Sequence, residues 1–191
     1  MSNTISISSK WVSSVVSMGL APLLKAHGFR KKRHHFVRIG ESAVNHISVQ
    51  ASQWNSPGKA SFTINLWSNV PAIAAALGES PVVDHFTHKV AHCGLRIGHL
   101  LPTPGDFWWE IRGEEDIARI AKEISDVVEC YALPYLERTS TIEGIAELSG
   151  HIPGIANDPT EPKAVALRLL GREQEAKVVE SGMPWYTPKL N

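Results

Sequence analysis

Three groups of side chains in this 191-residue chain have the types and spacing to do chemistry. The first is Gln50, Ser52, Thr63 and Asn65, with Arg96 brought near them and Trp54 and Trp67 as walls. Amides, hydroxyls and one guanidinium on a common surface suit a carboxylate, a phosphate or a peptide. The second is Asp84-His85-x-x-His88-x-x-x-His92-Cys93. On a helix His85, His88 and His92 share a face, and three imidazoles so placed ligate zinc with one position left open. His99 offers a fourth. The third is the basic run Arg30, Lys31, Lys32, Arg33, followed by His34, His35, Phe36 and Arg38, whose cations suit phosphates and whose ring suits a base. Each group also has a plain structural reading. These are, in order, a solvated sheet face, a histidine-rich surface helix, and a solvated turn.

Other chemistries lack their residues. The chain has no Gly-x-Ser-x-Gly elbow and no phosphate-binding loop of the Gly-x-x-x-x-Gly-Lys-Ser/Thr kind. Cys93 follows His92 directly, and sequence neighbours on a helix do not face each other. The His segment has no glutamate in the His-Glu-x-x-His arrangement that supplies a base. Glu110 and Asp106 lie among aromatic residues. A pairing of Glu110 with Arg96 or Arg112 is preferred to a catalytic role, because structural ion pairs also perturb acids.

Bulk properties narrow the class. No apolar run approaches the roughly 20 residues that span a bilayer, and the first residues lack the basic-then-apolar order of a signal peptide. The two cysteines, Cys93 and Cys130, have no metal-type spacing and read as free thiols of a reducing cytoplasm. Net charge is zero but unevenly spread. Residues 1–60 set eight Lys/Arg against Glu41 alone, net +7, and residues 61–191 set eleven against eighteen acids, net −7. Opposed halves attract within a fold, between copies, or toward a charged partner.

The elements that must position these residues follow from periodicity. Residues 10–27 carry a broad apolar stripe and predict a helix, kinked at Pro22 and stopped at Gly28. Period-two alternation predicts strands over 33–39, 44–53 and 60–67, with turns at 40–42 and 55–58. Ile47, Val49, Phe62, Ile64 and Leu66 then face the core, and Gln50, Ser52, Thr63, Asn65 and Trp67 the opposite side. A helix is predicted over 71–93, broken between Gly78 and Pro81, then a short strand or tight turn at Leu95–Ile97 and a strand over 107–112. Residues 114–131 have the clearest helical period, with acids at the end where the dipole favours them. Beyond Pro134 the pattern weakens to a short helix at 142–148, a Pro/Gly-rich linker over 151–162 and a helix over 163–180. Trp185 and Tyr186 are candidate anchors near the end.

The words LAPLLKAHGFRKKRHHFVR, ISVQASQWNS, FTINL, LRIGHLLP and FWWEI, in that order over about residues 10–130, resemble a bacterial family known as domain of unknown function 4304. The resemblance implies a compact α+β fold with an antiparallel sheet and carries no activity. His85, His88 and His92, and the tail after about residue 137, lie outside it.

The resulting expectation is an α+β core over 1–137. It comprises a small antiparallel sheet of three to five strands, packed on one face by the N-terminal helix and the helix at about 114–131, with a helical extension over 138–191. The expected function is a non-enzymatic binding module of a cytoplasmic bacterial protein, using the open polar sheet face, with a protein or a second copy as partner. No cofactor and no membrane contact are expected. The alternative is a zinc-binding protein or enzyme built on His85, His88 and His92, or on Arg96 with Glu110. A third is nucleic-acid contact through Arg30, Lys31, Lys32, Arg33 and Arg38, which overall neutrality disfavours.

Overall fold

Alternating apolar residues become a sheet only when something covers their common face, and here two interrupted helices do so. The computed structural model describes residues 7–80, 85–86, 92–148 and 160–182. Helix α1 (Ile7–Val15) runs through a π turn at Val16–Leu20 into α2 (Ala21–Ala26). Strands β1 (Arg30–Lys32), β2 (His35–Ile39), β3 (Val44–Ala51) and β4 (Ala60–Asn69) form an antiparallel meander. Helix α3 (Pro71–Ala76) follows, then β5 (Cys93–Arg96) and β6 (Trp109–Ile111). These last two pair in series with the same edge of β4, β6 with Ala60–Phe62 and β5 with Asn65–Ser68. Six strands stand where three to five were predicted.

Helix α4 (Asp116–Val127) continues through a second π turn, Val128–Ala132, into α5 (Leu133–Arg138). The two π turns have one cause. Pro22 and Pro134 lack the N–H that would close an α-turn, and each ring crowds the carbonyl four residues back. Widening the preceding turn relieves both, so Ala21 N–H bonds Val16 O and Leu133 N–H bonds Val128 O. The expected kink at Pro22 is therefore a π turn. The weakening expected beyond Pro134 does not end the helix, because the same device carries it to Arg138.

The core face of the sheet, with Phe36, Ile47, Phe62, Ile64 and Leu66 all at 1 % exposure or less, packs against Val12, Val15, Leu20, Ile120, Ile124 and Val128. Where the helices cross, a Cβ on Gly19 would land on the Ala121 carbonyl. A second apolar cluster joins Ala43, Val70, Ile73 and Cys93 to the tail helices α6 (Ile142–Ala146), α7 (Thr160–Leu169) and α8 (Glu173–Ser181). The single helix predicted over 163–180 is two, because Gly171 takes a left-handed turn (φ 75°) between them. The predicted linker lies mostly outside the described residues, as do Trp185 and Tyr186.

Cys93 is buried in that second cluster and burial pushes its thiol up to about 12, whereas Cys130 is exposed. A thiol reagent at neutral pH is therefore expected to titrate one cysteine in the native protein, removed by Cys130→Ser, and a second only after unfolding.

Candidate functional site

Register decides which polar groups meet. The far face of the sheet carries one row from β2 to β5, His35, Ser48, Asn65 and Arg96, because His35 pairs with Ser48, Ser48 with Asn65 and Asn65 with Arg96. Gln50 and Thr63 form the next row toward the β3–β4 hairpin. Val37, His46 and Trp67 form the row on the other side.

This face is not open throughout. Val37, His46 and Ser48 are at 5 % exposure or below, and Thr63 is fully buried, its hydroxyl donating to the Phe107 carbonyl at 2.9 Å. The loop before β6 roofs Thr63. Close packing permits this, since a Cβ on Gly98 would run into Gly105 and Phe107. The exposed remainder is compact. Asn65 Nδ2 donates to Gln50 Oε1 at 2.9 Å, while Arg96 donates to Asp106 at 2.7 Å and lies 5.2 Å above the Trp108 ring. Desolvation raises the Asp106 carboxyl, but hydrogen bonds from Arg96 and Trp108 outweigh it and hold the group below its ordinary value. The Asp106 carboxylate is thus ionised at neutral pH, and the Arg96 guanidinium it holds is set against an indole. Gln50 is exposed, and Asn65 and Arg96 are half-buried, so the three form a partly exposed ledge.

Of the predicted ligand residues, Gln50, Asn65 and Arg96 come together. Ser52 sits at the hairpin end, where its hydroxyl accepts from Trp54 N–H at 3.1 Å, and Trp54 projects at 82 % exposure. Trp67 is half-buried in the row beyond Asn65. Asp106 and Trp108, which fix Arg96, were not assigned to this set by sequence. Their signal is the aromatic word Phe107-Trp108-Trp109 directly after an acid. Glu110 is paired with Arg112 and Lys59, not with Arg96, and hydrogen bonds from Lys59 and Arg112 hold it below its ordinary value.

His85 is in a turn, His88 lies outside the described residues, and His92 precedes β5. His92 is 2 % exposed and both ring nitrogens are used: Nδ1 accepts from Val70 N–H at 3.1 Å and Nε2 meets Glu79 at 3.0 Å. Its Nε2 therefore carries the proton, and the ring ties the end of β4 to the chain after α3. Among the described residues no three His, Cys, Asp or Glu gather to hold a metal.

The basic run is a hairpin of its own, an element the sequence pattern did not show. β1 pairs with β2 through a turn in which Arg33 adopts a left-handed conformation (φ 56°). Arg38 leaves the set. It packs 5.0 Å over Phe29, donates to Asn45 Oδ1 and pairs with Glu137 at 2.7 Å on the core side. Phe36 is 1 % exposed and cannot stack on a base.

Sequence reasoning did not anticipate an open groove of about 350 Å³ on the tail, floored by Ala146, Leu167, Val178 and Val179. Its rim charges satisfy one another, as Arg172 bonds Glu147 and Glu175 at 2.6 Å.

The family model described as domain of unknown function (DUF4304) matches residues 20–138, well over half of the chain, and the chain belongs to that family. The match begins at Leu20 and ends where α5 ends, so the sheet, α2 and the helices from α3 to α5 are the shared part, while α1 and α6–α8 lie outside it. No curated protein and no solved structure matches the chain.

Proposed function

We propose that this member of the family of domain of unknown function 4304 is a non-enzymatic module that binds a protein partner through the ledge of Gln50, Asn65 and Arg96 beside Trp108. The observation that carries the proposal is the fixed state of these groups. Arg96 is pinned by Asp106 and Trp108, and Asn65 by Gln50, so little side-chain entropy is lost when a partner docks. A guanidinium and amides on an aromatic-flanked surface suit a peptide carbonyl or a carboxylate. Trp54, exposed on the adjoining hairpin, adds apolar area at the border. A nucleophile with a poised base is not among the groups that meet on this ledge, which favours binding over catalysis. The two free thiols suit a reducing cytoplasm. Among the described residues no helix is long and apolar enough to cross a membrane.

The test is site-specific photocrosslinking in the producing cells. A crosslinker at Trp54 should capture one defined partner, and Arg96→Ala should weaken that association about tenfold or more, the loss of a single well-placed anchor. Crosslinks no different from those at Lys122, on the outer surface of α4, would sink the proposal. The tag-free protein should hold no stoichiometric zinc. One zinc per chain, lost on His88→Ala, would instead favour the histidine alternative.

A further inference from the structure

Among the described residues, cations without a carboxylate partner cluster at the start of the sheet. Beyond residue 34, nine of the described Lys and Arg residues stand within 4 Å of a carboxylate. The other two, Arg138 and Lys163, donate to backbone carbonyls. The cations before residue 34 have no carboxylate partner among the described residues, and Arg30, Lys31, Lys32 and Arg33 are consecutive and exposed. Lys32 lies over the face of the Phe86 ring, at 5.4 Å. The neighbouring histidines register this potential. His34 and His35 are lowered by burial first and then by Lys31 and Lys32.

The four cations sit on an edge. Among the described residues β1 pairs with β2 alone, so alternate residues turn their N–H and C=O away from the sheet. Register places Arg30 and Lys32 on the far face and Lys31 on the core-side face. A strand added at this edge therefore meets positive charge on both its faces. Charged edges also prevent strands from pairing indiscriminately. A row of cations repels another copy of itself and selects an acidic strand, so the two roles are one device. Nucleic acid fits less well, because Phe29 and Phe36 are buried at 5 % and 1 % exposure and leave the hairpin without an exposed phenyl ring to stack on a base.

We propose that β1 is a second docking surface, which takes an extended acidic segment of a partner protein by strand addition. This surface is separate from the Gln50–Asn65–Arg96 ledge and stands or falls independently of it.

The test uses the full chain and three probes: a synthetic peptide of alternating Glu and Val, the same peptide N-methylated at every second residue, and a double-stranded DNA oligonucleotide of equal charge. The unmodified peptide should bind with affinity that falls steeply as salt rises, since the contact is largely electrostatic. N-methylation should weaken it about tenfold or more by removing ladder hydrogen bonds, and Arg30→Glu with Lys32→Glu should abolish it. The neutral pair Arg30→Gln and Lys32→Gln, checked by circular dichroism, separates lost charge from lost fold and should also weaken binding. Absence of peptide binding, indifference to N-methylation, indifference to either pair of substitutions, or tighter binding of the oligonucleotide would each overturn strand addition by an acidic segment.

Discussion

Gly19→Ala is expected to destabilise the protein by about 2 kcal/mol, against the ordinary sign for this change inside a helix. Replacing a helical glycine by alanine gains about 1 kcal/mol from the backbone alone. Here the new Cβ would be driven into the backbone carbonyl of Ala121, not into a side chain that can swing aside. To make room, the π turn at Val16–Leu20 must lift from α4, and the Val15, Val16, Leu20 and Ile124 contacts loosen with it. Overpacking of this kind costs roughly 1–3 kcal/mol and occasionally more, so a net loss survives the propensity gain. At this chain length that is about 5 °C in melting temperature. Gly105→Ala is the control, since a Cβ there meets nothing within 4 Å and its φ is not positive. Urea unfolding of the two variants checks the prediction. A stabilised Gly19→Ala would mean the two helices do not cross this closely.

That close crossing was not legible in the sequence, and the reason is general to this fold. Period-two alternation placed Ile47, Val49, Phe62, Ile64 and Leu66 on the core face, because burial on one side enforces it. Where the local pattern is overridden, reading failed. Arg30–His35 has no alternation, and its turn is made by a left-handed arginine instead of a glycine, so its first strand reads as a solvated turn ahead of a single strand over 33–39. Helix α5 was missed because a proline is a stop signal unless a π turn absorbs it. At the candidate site, alternation gave the composition of the far face but not its exposure. Thr63 and Gln50 are cross-strand partners of like polarity, yet a loop carbonyl more than 40 residues away buries one and leaves the other open. Covers made by loops have no period to read.

The sharpest case of a polar residue on the wrong face is Asn45, and Asn45→Ala is expected to cost about 3 kcal/mol. Asn45 alternates with Ile47 and Val49, so its side chain points to the core side, where it is 2 % exposed. Its amide N–H groups reach Ser140 Oγ at 2.9 Å and Ser68 Oγ at 3.1 Å, and its carbonyl accepts from Arg38 at 3.0 Å. Ser68 also meets Thr139 at 2.6 Å, and Ser140 bonds the Leu136 carbonyl, one of the orphan acceptors at the end of α5. The network therefore terminates a helix with sheet side chains, and it ties the family-matched segment, ending at residue 138, to the first residues of the tail. Truncation strands buried donors and acceptors on two strands and one helix end, and that penalty exceeds the modest net worth of any one bond. Because the groups act together, Asn45→Ala and Ser140→Ala should be non-additive, with a coupling of about 1 kcal/mol, while Asn45→Ala and Lys122→Ala should simply add. Unfolding free energies for the two double-mutant cycles decide the matter. Full additivity with Ser140 would mean that Asn45 fills space and that packing alone holds the end of α5 to the sheet.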